Sequence, residues 1–300
     1  MNVCTLLGKA IGGGWILAST SDDPYTVRNQ LVCESTTPYC YLAVRVVTDD
    51  PTQGVPWDHM LTRGLNSAGL AYTYAYVHEQ GNEQLPPQAW APKILARVAT
   101  VQGAIEFLQA EVGRILSGNY LFCDAQGSAA AVEVSRTEMR VAPVEEPSVV
   151  RANAWQILQQ PATDAWGAET AMQRASRARL LLGDGTRDMS RLLDAMRDHI
   201  DDGADGNRQY GISICNHGRA EGTISAELLD SNGLRLWWTY GWPCGQVRGY
   251  ERPARVPWGR FLAFEISKVR GSGEVTTLDG EITPLGIPLI EKLEGRSSRA

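Results

Sequence analysis

The order of strand-like and helix-like segments constrains the fold of this 300-residue chain most strongly. Strand patterns come first, with a second hairpin predicted around the turn Asn66–Gly69 and an irregular segment predicted from Asp23. Helical spacing follows from Ala89 to Gly113, with a break near Thr100, and a strand meander is predicted from Tyr120 to Ala142. Helical spacing returns from Glu169 to Ile200, and three further strands are predicted between Gly211 and Tyr240. Because strands and helices are grouped in blocks rather than alternating one by one, the order favours an α+β fold of antiparallel sheets.

The segment from Cys4 to Asp22 predicts a β-hairpin. An apolar run from Cys4 to Ala10 precedes three glycines at positions 12–14, and a second run, Trp15 to Thr20, leads back to Asp22. Two β-rich runs joined by a short glycine cluster are a standard hairpin signal. The hairpin returns Asp22 to the neighbourhood of Cys4, so we expect a thiol and a carboxylate in one site.

Cys4 is a candidate nucleophile because a cysteine attacks as its thiolate and needs a nearby base. If Cys4 becomes the first residue, its own α-amine, with a reference pKa of about 7.7 to 8.0, can accept the thiol proton. Asp22 can then hold the amine, and Asp23 is the alternative carboxylate. This mechanism requires cleavage after Val3, which makes residues 1–3 a short propeptide. The competing interpretation is a buried structural cysteine.

These features resemble the cysteine N-terminal-nucleophile (Ntn) hydrolases, which include choloylglycine (bile-salt) hydrolases, penicillin acyltransferase and a family of cysteine dipeptidases. Besides the opening Cys-Thr hairpin, later segments resemble the superfamily in the same order. They are Gly64–Ala71 (GLNSAGLA), Arg151–Asn153 (RAN), the strands from Ser213 to Ile224, and Gly241–Cys244 (GWPC). The resemblance implies a four-layer αββα sandwich and an enzyme that forms a thioester on its cysteine.

The resemblance also implies roles for single residues. Cys4 would be the nucleophile and Asp22 its carboxylate partner. Asn153 would donate a hydrogen bond to the oxyanion of the tetrahedral intermediate. The late arginine of the superfamily matches Arg219 approximately, with Arg208 as a second candidate.

The sequence departs from the superfamily at two places. Ser19 stands where an arginine often precedes the aspartate by three residues, which leaves the stabilisation of the thiolate open. The strand from Leu70 to Val77 carries tyrosines where several relatives have an asparagine, and we assign Tyr74, Tyr76 and Asn66 to substrate binding.

Tyr72, Tyr74 and Tyr76 alternate with small residues, so their rings share one face of the predicted strand. Two placements of this face are open. It can line the substrate pocket beside Cys4, or it can pack under the helices between Ala89 and Gly113.

Composition excludes several classes of function. With a net charge of −6 and thinly spread lysines and arginines, the chain offers no basic face for nucleic acid. No apolar run approaches the roughly 20 residues that span a bilayer, and no signal peptide is evident, so we expect a cytoplasmic protein without a membrane partner. The six cysteines and four histidines show no spacing such as Cys-x-x-Cys or His-x-x-x-His, so we expect no metal and no cofactor.

One domain covering residues 1–300 is predicted, with 245–300 as a C-terminal extension, because no linker divides the chain. Three functions stay open. They are hydrolysis of a small-molecule linear amide, transfer of its acyl group to an amine, and a catalytically silent binding role on the same fold. A homo-oligomer is compatible with each of them.

Overall fold

The computed structural model contains two antiparallel β-sheets that face each other, with helices on both outer surfaces. The structure describes residues 4–49, 58–81, 90–144, 147–159, 165–183, 188–200, 212–217, 221–245 and 260–291. Within these residues, no helix is long and apolar enough to cross a membrane.

Fourteen strands and four α-helices are defined in the described residues. In chain order the strands are β1 (Thr5–Ile11), β2 (Gly14–Pro24), β3 (Val27–Glu34), β4 (Tyr41–Thr48), β5 (Leu61–Asn66), β6 (Ala71–Tyr76), β7 (Gly118–Cys123), β8 (Ala129–Val134), β9 (Met139–Pro143), β10 (Ser148–Ala152), β11 (Glu221–Asp230), β12 (Arg235–Tyr240), β13 (Leu262–Glu265) and β14 (Gly273–Glu274). The helices are α1 (Trp90–Arg97), α2 (Val101–Ala110), α3 (Ala165–Leu182) and α4 (Met189–Arg197). One sheet has the order β10-β1-β2-β11-β12-β13 and the other β14-β3-β4-β5-β6-β7-β8-β9.

Side-chain alternation along the strands produces three apolar layers. Leu6 of β1 points into the layer between the sheets, whereas its neighbour Leu7 packs under α3 and α4. On the eight-stranded sheet, Trp90 and Ile94 of α1 cover the face opposite to the central layer. The predicted α+β class and the four-layer αββα sandwich are therefore confirmed.

The first hairpin is confirmed, with Thr5 opposite Thr20 and Ile11 opposite Gly14. Its turn has positive φ at both Gly12 (61°) and Gly13 (86°), a conformation in which side chains are unfavourable. On its other side β1 pairs with β10, so β1 lies inside its sheet. Cys4 therefore precedes a strand that is held from both sides.

Most predicted elements are present close to their expected positions. The second hairpin appears as β5 and β6, and the meander as β7, β8 and β9. The break predicted near Thr100 is confirmed, because its side chain accepts a hydrogen bond from Gly103 N and caps the start of α2.

Two local predictions are wrong. Residues 212–216 form turns rather than the strand predicted from Gly211, which itself lies outside the described residues. Here the Asn216 N–H donates to the Thr223 side-chain hydroxyl (2.8 Å) rather than to a backbone carbonyl of a neighbouring strand. The irregular segment expected from Asp23 is instead the end of β2 followed by β3, in which buried Asn29 and Gln30 interrupt the apolar pattern.

The C-terminal residues 260–291 add one strand to the edge of each sheet. β13 pairs with β12, and β14 pairs with β3. Phe264, Ile266 and Leu289 from this segment are buried in the layer between the sheets. The described part of the predicted extension thus completes the sandwich.

Candidate active site

Cys4 lies at the entrance to β1, with only 2% of its surface exposed. Because side chains alternate along a strand, the Cys4 side chain lies on the same face as Leu6 and points toward the eight-stranded sheet. Thr5 lies opposite Ala152 in β10, so Asn153, one residue further along, is brought toward Cys4. The strand register therefore brings together two of the residues predicted for the site.

Arg63 of β5 reaches Cys4 from the opposite sheet. Its Nη2 lies 3.5 Å from the Cys4 Sγ and 3.3 Å from the Thr20 carbonyl oxygen. Its Nε donates to the Ser19 hydroxyl (3.1 Å) and is 3.5 Å from Glu227 Oε2. The Ser19 hydroxyl in turn donates to Glu227 (2.9 Å). These contacts fix a positive charge beside the thiol.

Sequence reasoning overlooked Arg63 because the resemblance implied an arginine at the position of Ser19. One signal was available: Arg63 is a charged residue inside a strand-forming stretch, directly before the Gly64–Ala71 motif. Arginine is almost never fully buried unless it is paired, and Arg63 is 1% exposed. A buried arginine in a strand thus indicates a specific partner.

The electrostatics of this cluster favour a neutral thiol in the described structure. Burial raises the pKa of Cys4 to about 11, although the positive charge of Arg63 acts in the opposite direction. Burial also lowers the pKa of Arg63, but Cys4 and Glu227 outweigh this, and the net pKa is raised. Cys4 therefore needs a base before it can attack at neutral pH.

Asp22 and Asp23 lie at the end of β2, on opposite faces of the strand. Asp22 accepts a hydrogen bond from the Thr223 hydroxyl, and its second oxygen, Oδ2, is buried with no hydrogen-bond partner among the described residues. Burial raises the pKa of Asp22 well above its ordinary value, against the opposing influence of Thr223 and Arg174. The Asp22 backbone N–H acts to lower the pKa of Cys4, but less than burial raises it.

Asp23 is on the Cys4 side of the strand and accepts a hydrogen bond from the Ser21 hydroxyl (3.2 Å). Burial and Arg63 have the two largest effects on the pKa of Cys4, in opposite directions. The negative charge of Asp23 comes next and raises this pKa more than the charge of Asp22 does. Both carboxylates are thus close enough to act on Cys4, and the alternative between them stays open.

Asn153 is oriented by contacts on both ends of its side-chain amide. Its Nδ2 donates to the Tyr76 carbonyl oxygen (2.7 Å), and its Oδ1 accepts from Arg174 (3.0 Å). Asn119 of β7 donates to the backbone carbonyl oxygens of the two residues that flank Asn153, which are Ala152 (2.6 Å) and Ala154 (3.0 Å). An amide nitrogen carries two N–H groups, so one remains for an oxyanion.

The structure places the rings of Tyr74 and Tyr76, which were predicted to bind substrate, away from the layer that contains Cys4. Their rings belong to the aromatic layer under the helices, where Tyr74 lies 4.8 Å from Tyr120 between ring centroids. The Tyr74 hydroxyl donates to the Ser117 carbonyl oxygen (3.0 Å). Alternation directs the small residues Ala71 and Ala75 toward the layer that contains Cys4. The backbone carbonyl of Tyr76 accepts the hydrogen bond from Asn153.

The side-chain amide of Asn66, which was also predicted to bind substrate, is fully engaged in hydrogen bonds within the protein. Its Nδ2 donates to the carbonyl oxygens of Leu95 (2.9 Å) and Val98 (2.6 Å) near the end of α1. Its Oδ1 accepts from the backbone N–H groups of Ala68 (3.1 Å) and Leu70 (3.0 Å). These four bonds exhaust the capacity of the side chain, so Asn66 stabilises the turn. The predicted Arg219 and its alternative Arg208 lie outside the described residues.

Comparisons with known proteins agree with this architecture. The model of the acyl-coenzyme A:6-aminopenicillanic acid acyl-transferase family matches residues 53–243, a range that includes Arg63 and Asn153 but not Cys4. No curated protein sequence matches the chain significantly.

Several solved structures are similar to the chain at low sequence identity. Two mutants of the conjugated bile acid hydrolase from Clostridium perfringens each have 11% identity and cover 93% of this chain. Their TM-scores are 0.52 and 0.51, with 94% and 95% of their own chains covered. Penicillin V acylase from Agrobacterium tumefaciens has 14% identity and a TM-score of 0.49, with 89% of this chain and 87% of its own covered. The bile acid hydrolase structures therefore support the sandwich architecture.

Proposed function

We propose that this chain, which belongs to the acyl-coenzyme A:6-aminopenicillanic acid acyl-transferase family, is an amidohydrolase with Cys4 as its nucleophile. The observation that carries the proposal is the 3.5 Å contact between the Cys4 Sγ and the Arg63 guanidinium at the start of an interior strand. The proposed substrate is a small molecule with a linear amide bond, and the bond is broken through a thioester on Cys4.

Maturation precedes the reaction: one water hydrolyses the peptide bond between Val3 and Cys4, residues 1–3 leave with a carboxyl group on Val3, and the Cys4 α-amine is freed. The amine takes the proton from Sγ, and Arg63 stabilises the resulting thiolate. The thiolate attacks the amide carbonyl carbon, and the free N–H of Asn153 donates to the oxyanion. Asp22 or Asp23 holds the ammonium group.

Collapse of the tetrahedral intermediate breaks the C–N bond and leaves the acyl group on sulfur. The ammonium group returns its proton to the departing amine. Water then attacks the thioester carbon with the α-amine as base, which releases a carboxylic acid and restores the thiol. Each proton taken by the amine is thus returned in the same half-reaction.

Acyl transfer is the second candidate, favoured by the family description, which names an acyl-transferase. Its first half-reaction is identical, and an acceptor amine replaces water in the second. The two are separated by adding increasing concentrations of an amine to a reaction with a thioester or amide donor. A constant yield of free acid supports hydrolysis, whereas an amide product that replaces the acid supports transfer.

Intact mass and a covalent probe test the proposal. We expect the mature chain to begin at Cys4 and to form one adduct with a thiol-directed ester or amide probe. Cys4→Ala should abolish this adduct, whereas Cys40→Ser, which removes a half-buried cysteine elsewhere, should retain it. A chain that stays uncleaved and unlabelled would support the silent binding role. An adduct that persists in Cys4→Ala would assign the nucleophile elsewhere.

A further inference from the structure

A second cluster of reactive side chains lies where the segment 212–217 meets the turn after β12. The Nε2 of His217 is 3.3 Å from the Sγ of Cys215 and 3.3 Å from the Sγ of Cys244. All three atoms lie within 4.8 Å of one another. Tetrahedral zinc with Zn–S of about 2.3 Å and Zn–N of about 2.0 Å separates its ligand atoms by roughly 3.5 to 3.8 Å. The three donor atoms are therefore close enough together for one ion to contact all of them after small side-chain shifts.

The imidazole of His217 is held in this orientation by ring stacking. The Trp242 ring lies 4.1 Å away between centroids at an interplanar angle of 14°. The His199 ring lies 5.5 Å away at 15°. His217 Nδ1 is buried and has no hydrogen-bond partner among the described residues. A preoriented ring lowers the entropy lost when a ligand binds.

Backbone contacts also fix the two sulfurs. The Cys215 N–H donates to the Asp198 carbonyl oxygen (2.8 Å), just beyond α4. The Gly245 N–H donates to the Trp242 carbonyl oxygen (3.0 Å), which closes the turn that carries Cys244. Cys215 is buried, whereas Cys244 and His217 are half-buried, so the cluster is shielded on one side and accessible on the other.

We propose that Cys215, His217 and Cys244 form a Cys₂His site for a thiophilic divalent cation, with Zn²⁺ as the best match. Two thiolates would balance the charge of the ion, and a neutral imidazole would bind through Nε2. Three protein ligands leave the fourth position for water. Sequence reasoning overlooked this set because it joins a Cys-x-His pair to a cysteine on another turn, and only the fold brings them together.

The site has a structural connection to Asp22. Asn216, between two of the ligands, exchanges hydrogen bonds with Thr223: its N–H donates to the Thr223 hydroxyl (2.8 Å), and its carbonyl accepts from the Thr223 N–H (2.9 Å). The same Thr223 hydroxyl donates to Asp22. A bound ion would thus fix the segment that positions the hydroxyl partner of Asp22.

Cobalt binding tests the proposal independently of any enzymatic activity. The full chain is reduced, stripped of metal and titrated with Co²⁺, and thiolate-to-cobalt absorption is followed. We expect saturation at one ion per chain, displacement by Zn²⁺, and a rise in Tm on adding Zn²⁺ that a chelator reverses. Cys244→Ser and His217→Ala should each lower the affinity by at least tenfold.

Cys40→Ser is the matched control, because it also removes one half-buried thiol. It should keep the cobalt spectrum and the Zn²⁺-dependent rise in Tm. The proposal is overturned if the reduced wild-type chain gives no thiolate–cobalt absorption, or if Cys244→Ser gives the same spectrum. Circular dichroism of each variant confirms that it has folded.

Discussion

At the residue scale, the charge beside Cys4 is supplied from a strand that the sequence resemblance does not indicate. Ser19 stands at the arginine position of the superfamily, and its hydroxyl accepts from Arg63 Nε and donates to Glu227. A small residue on β2 thus leaves room for a guanidinium from β5. The resemblance identified Ser19 as a departure from the superfamily but did not indicate Arg63, because the two positions are joined only across the sandwich.

Removing the Arg63 charge should lower the reactivity of Cys4. In Arg63→Gln the pKa of Cys4 should rise further, because burial is then no longer opposed by a positive neighbour. A shift of one unit corresponds to about a tenfold loss of thiolate at a fixed pH. The pH dependence of iodoacetamide labelling at Cys4, measured by peptide mass spectrometry, reports this shift.

Arg63→Gln alone leaves Glu227 buried without its ion-pair partner, which typically costs about 3 to 5 kcal/mol of stability. The double variant Arg63→Gln/Glu227→Gln removes both charges and is the control for folding. Labelling of Cys4 in this double variant at the wild-type rate and with the wild-type pH profile would contradict a role for Arg63.

Asp22→Asn should stabilise the fold at neutral pH. The pKa of Asp22 is raised in the folded state, so its protonated form favours folding and its ionised form opposes it. This contribution is fully present below the unfolded pKa of about 3.8 and is lost as pH rises through the folded pKa. An amide avoids the loss while still accepting the hydrogen bond from Thr223.

Thermal unfolding at pH 7 and pH 4 measures this effect. A gain of 1 kcal/mol raises Tm by roughly 2 °C for a chain of this size. The advantage of Asp22→Asn should shrink at pH 4, and turnover should fall if Asp22 holds the amine. A lower Tm at pH 7 would show that the charge of Asp22 is needed for folding.

At the scale of elements, β6 separates an aromatic face from a face of small side chains. Tyr74→Ala should destabilise the fold by about 3 to 5 kcal/mol, because a buried ring is deleted from the layer under the helices. Acyl preference, measured with amides that share one amine, should not change. Tyr74→Phe should lose only about 1 kcal/mol, because only the bond to Ser117 is removed.

Thr73 provides the matched comparison on the other face of β6. It pairs with Arg63 in the sheet register, and its buried hydroxyl has no hydrogen-bond partner among the described residues. Thr73→Val should therefore retain stability. If Tyr74→Ala changed the acyl preference without changing stability, the result would support the hypothesis that the tyrosines line the substrate pocket.

Local sequence patterns predicted the strands, helices and turns better than they predicted what each element packs against. The hairpin from Cys4 to Asp22, the break before α2 and the β7–β9 meander depend on turn residues and periodicity within one stretch of chain. Periodicity also placed Tyr72, Tyr74 and Tyr76 on one face, but it cannot show whether that face meets helices or a second sheet. The Cys215–His217–Cys244 cluster requires contacts between distant segments, which no local pattern contains.

At the scale of the whole molecule, the C-terminal segment closes both sheets. Deleting residues 260–300 should prevent formation of a well-packed fold, because it removes two edge strands and buried side chains such as Phe264 and Leu289. The truncated chain should aggregate or lose cooperative unfolding, as followed by light scattering and calorimetry. Deletion of residues 292–300 alone is the control that separates the effect of the described segment 260–291 from that of the residues after it. A soluble, cooperatively unfolding chain that ends at residue 259 would show that the segment is dispensable.

Cys4 and the guanidinium beside it belong to different sheets: Cys4 precedes β1, and Arg63 is in β5. Their separation is therefore set by the thickness of the apolar layer that includes Leu17, Leu65 and Leu121. Any change that slides or spreads the sheets, such as hydrostatic pressure, alters the 3.5 Å contact without touching either residue. The rate at which Cys4 is alkylated therefore reports the distance between the two sheets. Substitutions remote from the thiol can be ranked by how much they change this rate.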